Sequence, residues 1–178
     1  AKPGIDLASA SDTGSSATDN ITRDATPTLT GTAEAGATVT IKDGATVLGT
    51  AAANGAGQWT FTTAALANGA HSLTVTATDK AGNVSAPSAA LVVTVDTVTP
   101  SAPTLLDLAT ADDTGSLTAD NRTKLTTGLT ITGSSTENGA TVTLFDDADN
   151  DGVRDVGEAV LNTGVVSGGV FSIDVALA

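Results

Sequence analysis

Gly36-Ala37-Thr38-Val39-Thr40 returns as Gly139-Ala140-Thr141-Val142-Thr143, and this recurrence decides the architecture. The match widens on both sides. Ile5-Asp6-Leu7-Ala8 recurs as Leu106-Asp107-Leu108-Ala109, Asp12-Thr13-Gly14-Ser15 as Asp113-Thr114-Gly115-Ser116, and Asp19-Asn20 as Asp120-Asn121, all at an offset of 101 residues. Val47-Leu48 returns as Val160-Leu161. Self-similarity at a fixed spacing is the mark of a tandem array. Two units are therefore expected, spanning 1–97 and 98–178.

Each unit reads as a β-sandwich. In the first copy, short runs near Ile5–Leu7, Thr28–Ala33, Thr38–Lys42, Val47–Ala51, Gln58–Thr62, His71–Thr78 and Ala89–Val95 carry β-formers. Val39/Ile41, Leu73/Val75/Ala77 and Leu91/Val93/Val95 alternate as burial of one face requires. Asp43-Gly44, Asn54-Gly55 and Asn68-Gly69 punctuate the runs as turns. No long helical period appears. Seven short strands in roughly 100 residues are the size of an immunoglobulin-like sandwich, so the expected fold class is all-β, with tandem immunoglobulin-like β-sandwiches. The second is expected to be truncated. Phe171-Ser172-Ile173 matches Trp59-Thr60-Phe61, and Ala178 falls near the position of Leu66, so counterparts of His71–Thr78 and Ala89–Val95 are missing. Clipping of the chain is the simpler reading, and strands supplied by a partner the other. The start at Ala1-Lys2-Pro3, without Met or signal peptide, likewise reads as a piece of something longer. Asp96-Thr97-Val98-Thr99-Pro100-Ser101-Ala102-Pro103 is a short, proline-stiffened joint.

Composition sets limits on partners. Twenty acids against seven bases give a formal charge of −13, which disfavours nucleic acid and anionic membrane surfaces and attracts divalent cations. No cysteine is present, so neither disulfides nor thiolate metal sites exist. No apolar run of about 18 residues offers a membrane span. With one Trp and three Phe, the core must come mainly from small aliphatic side chains.

Asp147-Ala148-Asp149-Asn150-Asp151-Gly152-Val153-Arg154-Asp155-Val156-Gly157-Glu158 fits the calcium loop D-x-[DN]-x-[DN]-G-x5-E without a gap. Asp147, Asp149 and Asp151 offer carboxylates, Val153 a carbonyl, Asp155 a direct or water-mediated contact, and Glu158 both of its oxygens. The loop replaces the Asp43-Gly44 turn of the first copy. It would join the strands Thr141–Phe145 and Ala159–Leu161, where an EF-hand would have helices. Calcium is thus the expected cofactor.

Other acids collect at Asp12, Asp19 and Asn20, again at Asp112, Asp113, Asp120 and Asn121, and singly at Asp79 and Asp96. Strand parity places Asp12, Asp19 and Asn20 near Asp96, where an interdomain calcium site could close, with Asp79 and Asn83 at the opposite pole. The competing reading makes these residues turn formers whose side chains cap backbone N–H groups. No catalytic group stands out: there is no nucleophile elbow. His71, the single histidine, reads as an ordinary strand residue titrating with solvent. Trp59 could be a sugar platform, though its alternation with Phe61 reads as core. The sequons at Asn20, Asn83 and Asn121 match by composition in a Thr-rich chain.

Ser11-Asp12-Thr13-Gly14, Asp19-Asn20-Ile21-Thr22, Pro27-Thr28-Leu29-Thr30-Gly31 and Thr78-Asp79-Lys80-Ala81-Gly82-Asn83, in that order, resemble the bacterial Ig-like (BIg) repeats of giant type I-secreted, RTX-type adhesins. The resemblance covers the first copy and about two thirds of the second. It implies secretion to the bacterial cell surface, a tandem array whose joints calcium rigidifies, and neighbouring Ig-like repeats of the same chain as partners. The expected function is an extender that holds a distal binding domain away from the cell in adhesion and biofilm formation. A host or surface ligand would be met through other domains. An alternative is a carbohydrate-binding or accessory module of a secreted protein. A dockerin-like cohesin partner ranks last, because dockerins use two helix-flanked loops.

Overall fold

The computed structural model describes residues 1–114, 117, 121–125, 128–149, 151 and 153–176. Among them every regular element is a strand, and no helix is long and apolar enough to cross a membrane. The chain divides into two compact units, Ala1–Val98 and Thr99–Ala178.

Unit 1 contains β1 (Asp6–Leu7), β2 (Ile21–Thr22), β3 (Thr28–Thr32), β4 (Thr38–Asp43), β5 (Thr46–Ala52), β6 (Gln58–Thr62), β7 (Gly69–Thr78) and β8 (Leu91–Val95). They form a three-stranded sheet, β1-β3-β6, and a five-stranded sheet, β2-β8-β7-β4-β5. All pairings are antiparallel except β2 with β8, which is parallel. The seven runs expected from the sequence are all strands, and β2 is an addition. Two residues inside a run of Asp, Asn, Thr and Ser carry no periodicity to announce a strand. Asn20, at φ 59°, turns the chain into it, a left-handed conformation that Asn tolerates better than most residues.

The two sheets meet through alternating side chains. Leu7, Leu29 and Trp59 from one sheet pack against Val39, Ile41, Leu73, Val75 and Val93 from the other. Leu29, Val39, Ile41, Leu73 and Val93 are completely buried. Burying each such side chain is worth about 1.5–3 kcal/mol. In β7 the alternation is complete: Leu73, Val75 and Ala77 point inward while Thr74, Thr76 and Thr78 do not. Gly44, at φ 53°, makes the two-residue β4–β5 connection, where a β-branched residue would be strained.

Unit 2 contains β9 (Thr104–Leu108), β10 (Leu129–Ser134), β11 (Thr141–Phe145), β12 (Val160–Val165) and β13 (Val170–Val175). A three-stranded sheet, β13-β10-β9, repeats β6-β3-β1, and the pair β11-β12 repeats β4-β5. Phe171 opposes Gly133 as Trp59 opposes Gly31, so the sequence alignment of the copies holds in space. The core is divided between Leu108, Leu129 and Val175 on one side and Val166, Phe171 and Ile173 on the other, with Leu144 touching both. In unit 1, β4 pairs with β7 along its other edge. Among the described residues, β11 pairs only with β12. Leu106, the counterpart of the core-packed Ile5, is 55% exposed.

Gly31 sits in β3 beside the N-terminal segment, whose Gly4 amide is bonded to the Thr32 carbonyl at 2.8 Å. A Cβ there would meet the Gly4 carbonyl oxygen and come within 2.6 Å of Trp59 Cζ2. Gly31→Ala is expected to destabilise unit 1 by about 1–3 kcal/mol through overpacking. Urea unfolding of the full chain, followed by fluorescence of the single tryptophan, reads this directly, and an unchanged midpoint would contradict the packing.

Candidate functional site

The acids after β1 are held in a cradle built from short polar side chains. Ser11 and Asp12 donate their amides to the Ala8 carbonyl at 2.8 and 3.2 Å, which folds the chain back under the sheet. Thr22, 1% exposed, donates its hydroxyl to the Ser11 carbonyl and accepts the Asp24 amide at 2.9 Å. Thr13 Oγ1 lies 2.9 Å from Thr22 Oγ1 and accepts the Arg23 amide at 3.1 Å. Asp12 is only 7% exposed. Its Oδ2 accepts the Asn20 amide at 3.3 Å, while its Oδ1 is buried and has no hydrogen-bond partner. Leaving a buried acceptor unsatisfied costs about 1–3 kcal/mol, and more when it is charged.

The same cradle is built a second time. Asp113, 4% exposed, accepts the Asn121 amide on Oδ2 at 3.3 Å and buries an unpartnered Oδ1. Thr114 and Thr123 pair at 3.2 Å, Thr114 accepts the Lys124 amide at 2.9 Å, and Asn121 sits at φ 56°. Asp112 accepts the Thr130 amide at 2.8 Å, where Ser11 accepts that of Thr28 at 3.0 Å. Asp120 lies outside the described residues.

Chain pairing carries the unit 1 cradle to the exit of that unit. Thr94 donates to the Asn20 carbonyl at 2.9 Å and Asp96 donates to the Thr22 carbonyl at 2.8 Å. Asp12, Asn20 and Asp96 therefore belong to one end of the sandwich. The other carboxylates show turn chemistry. Asp19 accepts the Ile21 amide at 3.1 Å and Asp96 accepts that of Val98 at 3.0 Å. Asp79 accepts the amides of Ala81 and Asn83 and the Asn83 side-chain amide, each at 2.8 Å. These bonds, that from the Asn83 side chain foremost, hold the Asp79 pKa below its ordinary value. For Asp24, burial acts to raise the pKa, but hydrogen bonds from Thr26 and Ser11 outweigh it and lower the value.

In unit 2 the acidic loop leaves β11 and returns to β12, closed by the Asp146 amide on the Ala159 carbonyl at 2.9 Å. Carboxylate oxygens of Asp147, Asp149 and Asp151 all lie within 4.8 Å of one another. Oxygens bound at 2.3–2.6 Å to one calcium ion can stand at most about 5 Å apart, so the three acids fit a common cation. Asp155, Val153 and Glu158 are outside that cluster. Glu158 accepts the Ala148 amide on Oε1 at 2.8 Å and the Asp155 amide on Oε2 at 2.9 Å, tying the two ends of the loop together. Val153 donates its amide to Asp151 at 2.7 Å. Asn150 and Gly152 lie outside the described residues.

One expectation, Trp59 as a core residue, holds, and one, for His71, is corrected. Trp59, 4% exposed, packs in the core and offers no platform to a sugar. His71 is not an ordinary solvent-titrating residue. Its Nδ1 lies 2.7 Å from Asp43 Oδ2, and its Nε2 lies 2.9 Å from the Ala67 carbonyl oxygen. Its pKa is raised, first by the Ala67 hydrogen bond and then by the hydrogen bond and charge of Asp43, against the opposing effect of burial.

The family model of the bacterial Ig-like domain matches residues 1–97. That is more than half of the chain, and the chain belongs to this family. Its domains are typically non-catalytic structural modules of extracellular or surface proteins. Among solved structures, fibronectin(III)-like modules of Clostridium thermocellum CbhA are similar at 14% identity, with a TM-score of 0.44. That match covers 85% of this chain and 70% of the other. No curated protein matches the chain.

Thr22→Val removes a buried hydroxyl with three partners and leaves the Ser11 carbonyl unsatisfied. Unit 1 is expected to lose about 1–3 kcal/mol, measured by urea unfolding with tryptophan fluorescence. A loss within error of zero would mean that the cradle does not hold the turn.

Proposed function

We propose that this chain is a calcium-rigidified extender module of a large bacterial surface adhesin, reaching the cell surface by type I secretion. Its role is mechanical: it holds a distal binding domain away from the cell in adhesion and biofilm formation. Thr99–Ala178 is read as a second bacterial Ig-like domain that differs from the first by its acidic loop.

The observation that carries this reading is the buried, unpartnered carboxylate oxygen of Asp12, reproduced at Asp113. A lone accident of packing has no reason to recur at the corresponding residue of the other copy. A cation would supply what the oxygen lacks, and on this reading Asn20 and Asp96 in unit 1, or Asn121 and Asp112 in unit 2, would contribute further oxygens. The three-aspartate cluster at Asp147, Asp149 and Asp151 is a further site of the same chemistry. Glu158 would have to exchange its backbone partners to add its oxygens. The net charge of −13 gives the ions a general electrostatic benefit as well.

An ion that binds only the folded state stabilises it by about 2.7 kcal/mol at a hundredfold excess over its Kd. Calorimetric titration of the full chain is therefore expected to show calcium uptake, and Asp149→Ala with Asp151→Ala to remove the loop component only. EGTA is expected to lower the melting temperature, unit 2 first, and to shorten the maximum dimension in small-angle scattering. Superimposable melts and scattering profiles with and without EGTA would sink the proposal.

A further inference from the structure

A neutral imidazole carries one N–H donor and one bare acceptor nitrogen. His71 faces oxygens on both sides: an Asp43 carboxylate at Nδ1 and the Ala67 carbonyl at Nε2, at 2.7 and 2.9 Å. Neither a backbone carbonyl nor an ionised carboxylate can donate, so both contacts are hydrogen bonds only when the ring carries two protons. The imidazole side chain is 14% exposed and Asp43 is 27% exposed, which limits the water available to stand in for a lost donor.

The two partners lie on different pieces of chain. Asp43 ends β4, and its Oδ1 also accepts the Ser72 amide at 3.1 Å. Ala67 belongs to the β6–β7 connection, a segment whose Leu66 amide is bonded to the Ala25 carbonyl at 2.8 Å. The next residue, Asn68, uses its side-chain oxygen to accept both the amide of Thr97, at 3.1 Å, and its hydroxyl, at 2.9 Å. Thr97 lies on the segment by which the chain leaves unit 1. The charged ring thus ties β4 to a connection that in turn grips the departing chain.

We propose that His71 is a proton-operated fastener of unit 1: its imidazolium fixes the Ala67–Asn68 connection to Asp43, and through Asn68 it anchors Thr97. Deprotonation removes one donor, so one nitrogen then meets an oxygen lone pair to lone pair. The connection loosens and the hold on Thr97 weakens with it. The charge environment is simple. Asp43 is the titratable group facing the ring from β4 and the β4–β5 turn. β5, β6, the β6–β7 connection and β8 carry no titratable residue. Lys42, beside Asp43, is paired in register with Thr74. Because the folded-state pKa is raised, the stabilisation is fully present below the unfolded-state value and fades as pH rises through the folded-state one. Low pH tightens this end of the unit, and alkaline pH releases it.

With one histidine in the chain, the imidazole can be followed by NMR in the full-length wild-type protein without mutation. The experiment is run in EGTA, so its failure and that of the calcium reading are separable. Expected are a titration midpoint above that of a free histidine, two slowly exchanging ring N–H signals on the acid side, and a loss of hydrogen-exchange protection at the Thr97 amide as pH passes the midpoint, after correction for intrinsic rates. Asp43→Asn should move the midpoint down, and His71→Gln should make the Thr97 protection independent of pH. A midpoint at or below the free value, or Thr97 protection that is flat across it in the wild type, would overturn the proposal.

Discussion

Unit 1 depends on one strand. β7 is bonded to β4 along one edge and to β8 along the other, and it sends Leu73, Val75 and Ala77 into the space between the sheets. Without it, β4-β5 and β8-β2 would be two separate ribbons with half their ladder groups unpaired. β7 is thus the central plank of the five-stranded sheet that closes the sandwich of unit 1. In unit 2, among the described residues, the buried hydrophobics form two clusters that share Leu144.

A core made of Val, Leu and Ala leaves little surplus over the entropy of ordering the chain. The polar cradles are best understood against that margin. Ser11, Thr13, Thr22 and Asp24 replace missing ladder bonds with side-chain bonds along a stretch too rich in Asp, Asn and Thr to form a long strand. Each such bond contributes about 0.5–1.5 kcal/mol net, so the group of them matters to a unit of this size. The cost is the Asp12 oxygen, which the fold buries and leaves without a donor.

The strands were legible in the sequence because alternation at Val39/Ile41 and Leu73/Val75/Ala77 is a direct image of one-face burial. The tandem organisation was legible because Asp12, Asn20 and Thr38 recur with their neighbours. β2 was not legible, since its pairing depends on β8, more than seventy positions away. The acidic loop was readable as spacing, and the structure gathers Asp147, Asp149 and Asp151 accordingly. Its hydrogen bonds from Ala148 and Asp155 to Glu158 depend on loop geometry that a motif does not encode. The role of His71 was missed for a related reason. Ala67 and Asp43 stand on opposite sides of it only because a turn and a strand register put them there.

The same hairpin position handles negative charge differently in the two units. Between β4 and β5 there is one carboxylate, Asp43, met by a single histidine reaching across from β7. Between β11 and β12 there are six acids, from Asp146 to Glu158, against the one base Arg154. One proton on one imidazole can balance one carboxylate. It cannot balance five more at close quarters, where neighbouring like charges raise the free energy of the ionised loop. Backbone amides from Ala148, Asp151, Val153 and Asp155 supply partial positive charge, but they fix oxygens in place without cancelling the net charge. A divalent ion, as proposed for this loop, would do both. On this argument, lengthening the hairpin changes what can neutralise it: the longer loop carries more charge than one proton on one imidazole can balance.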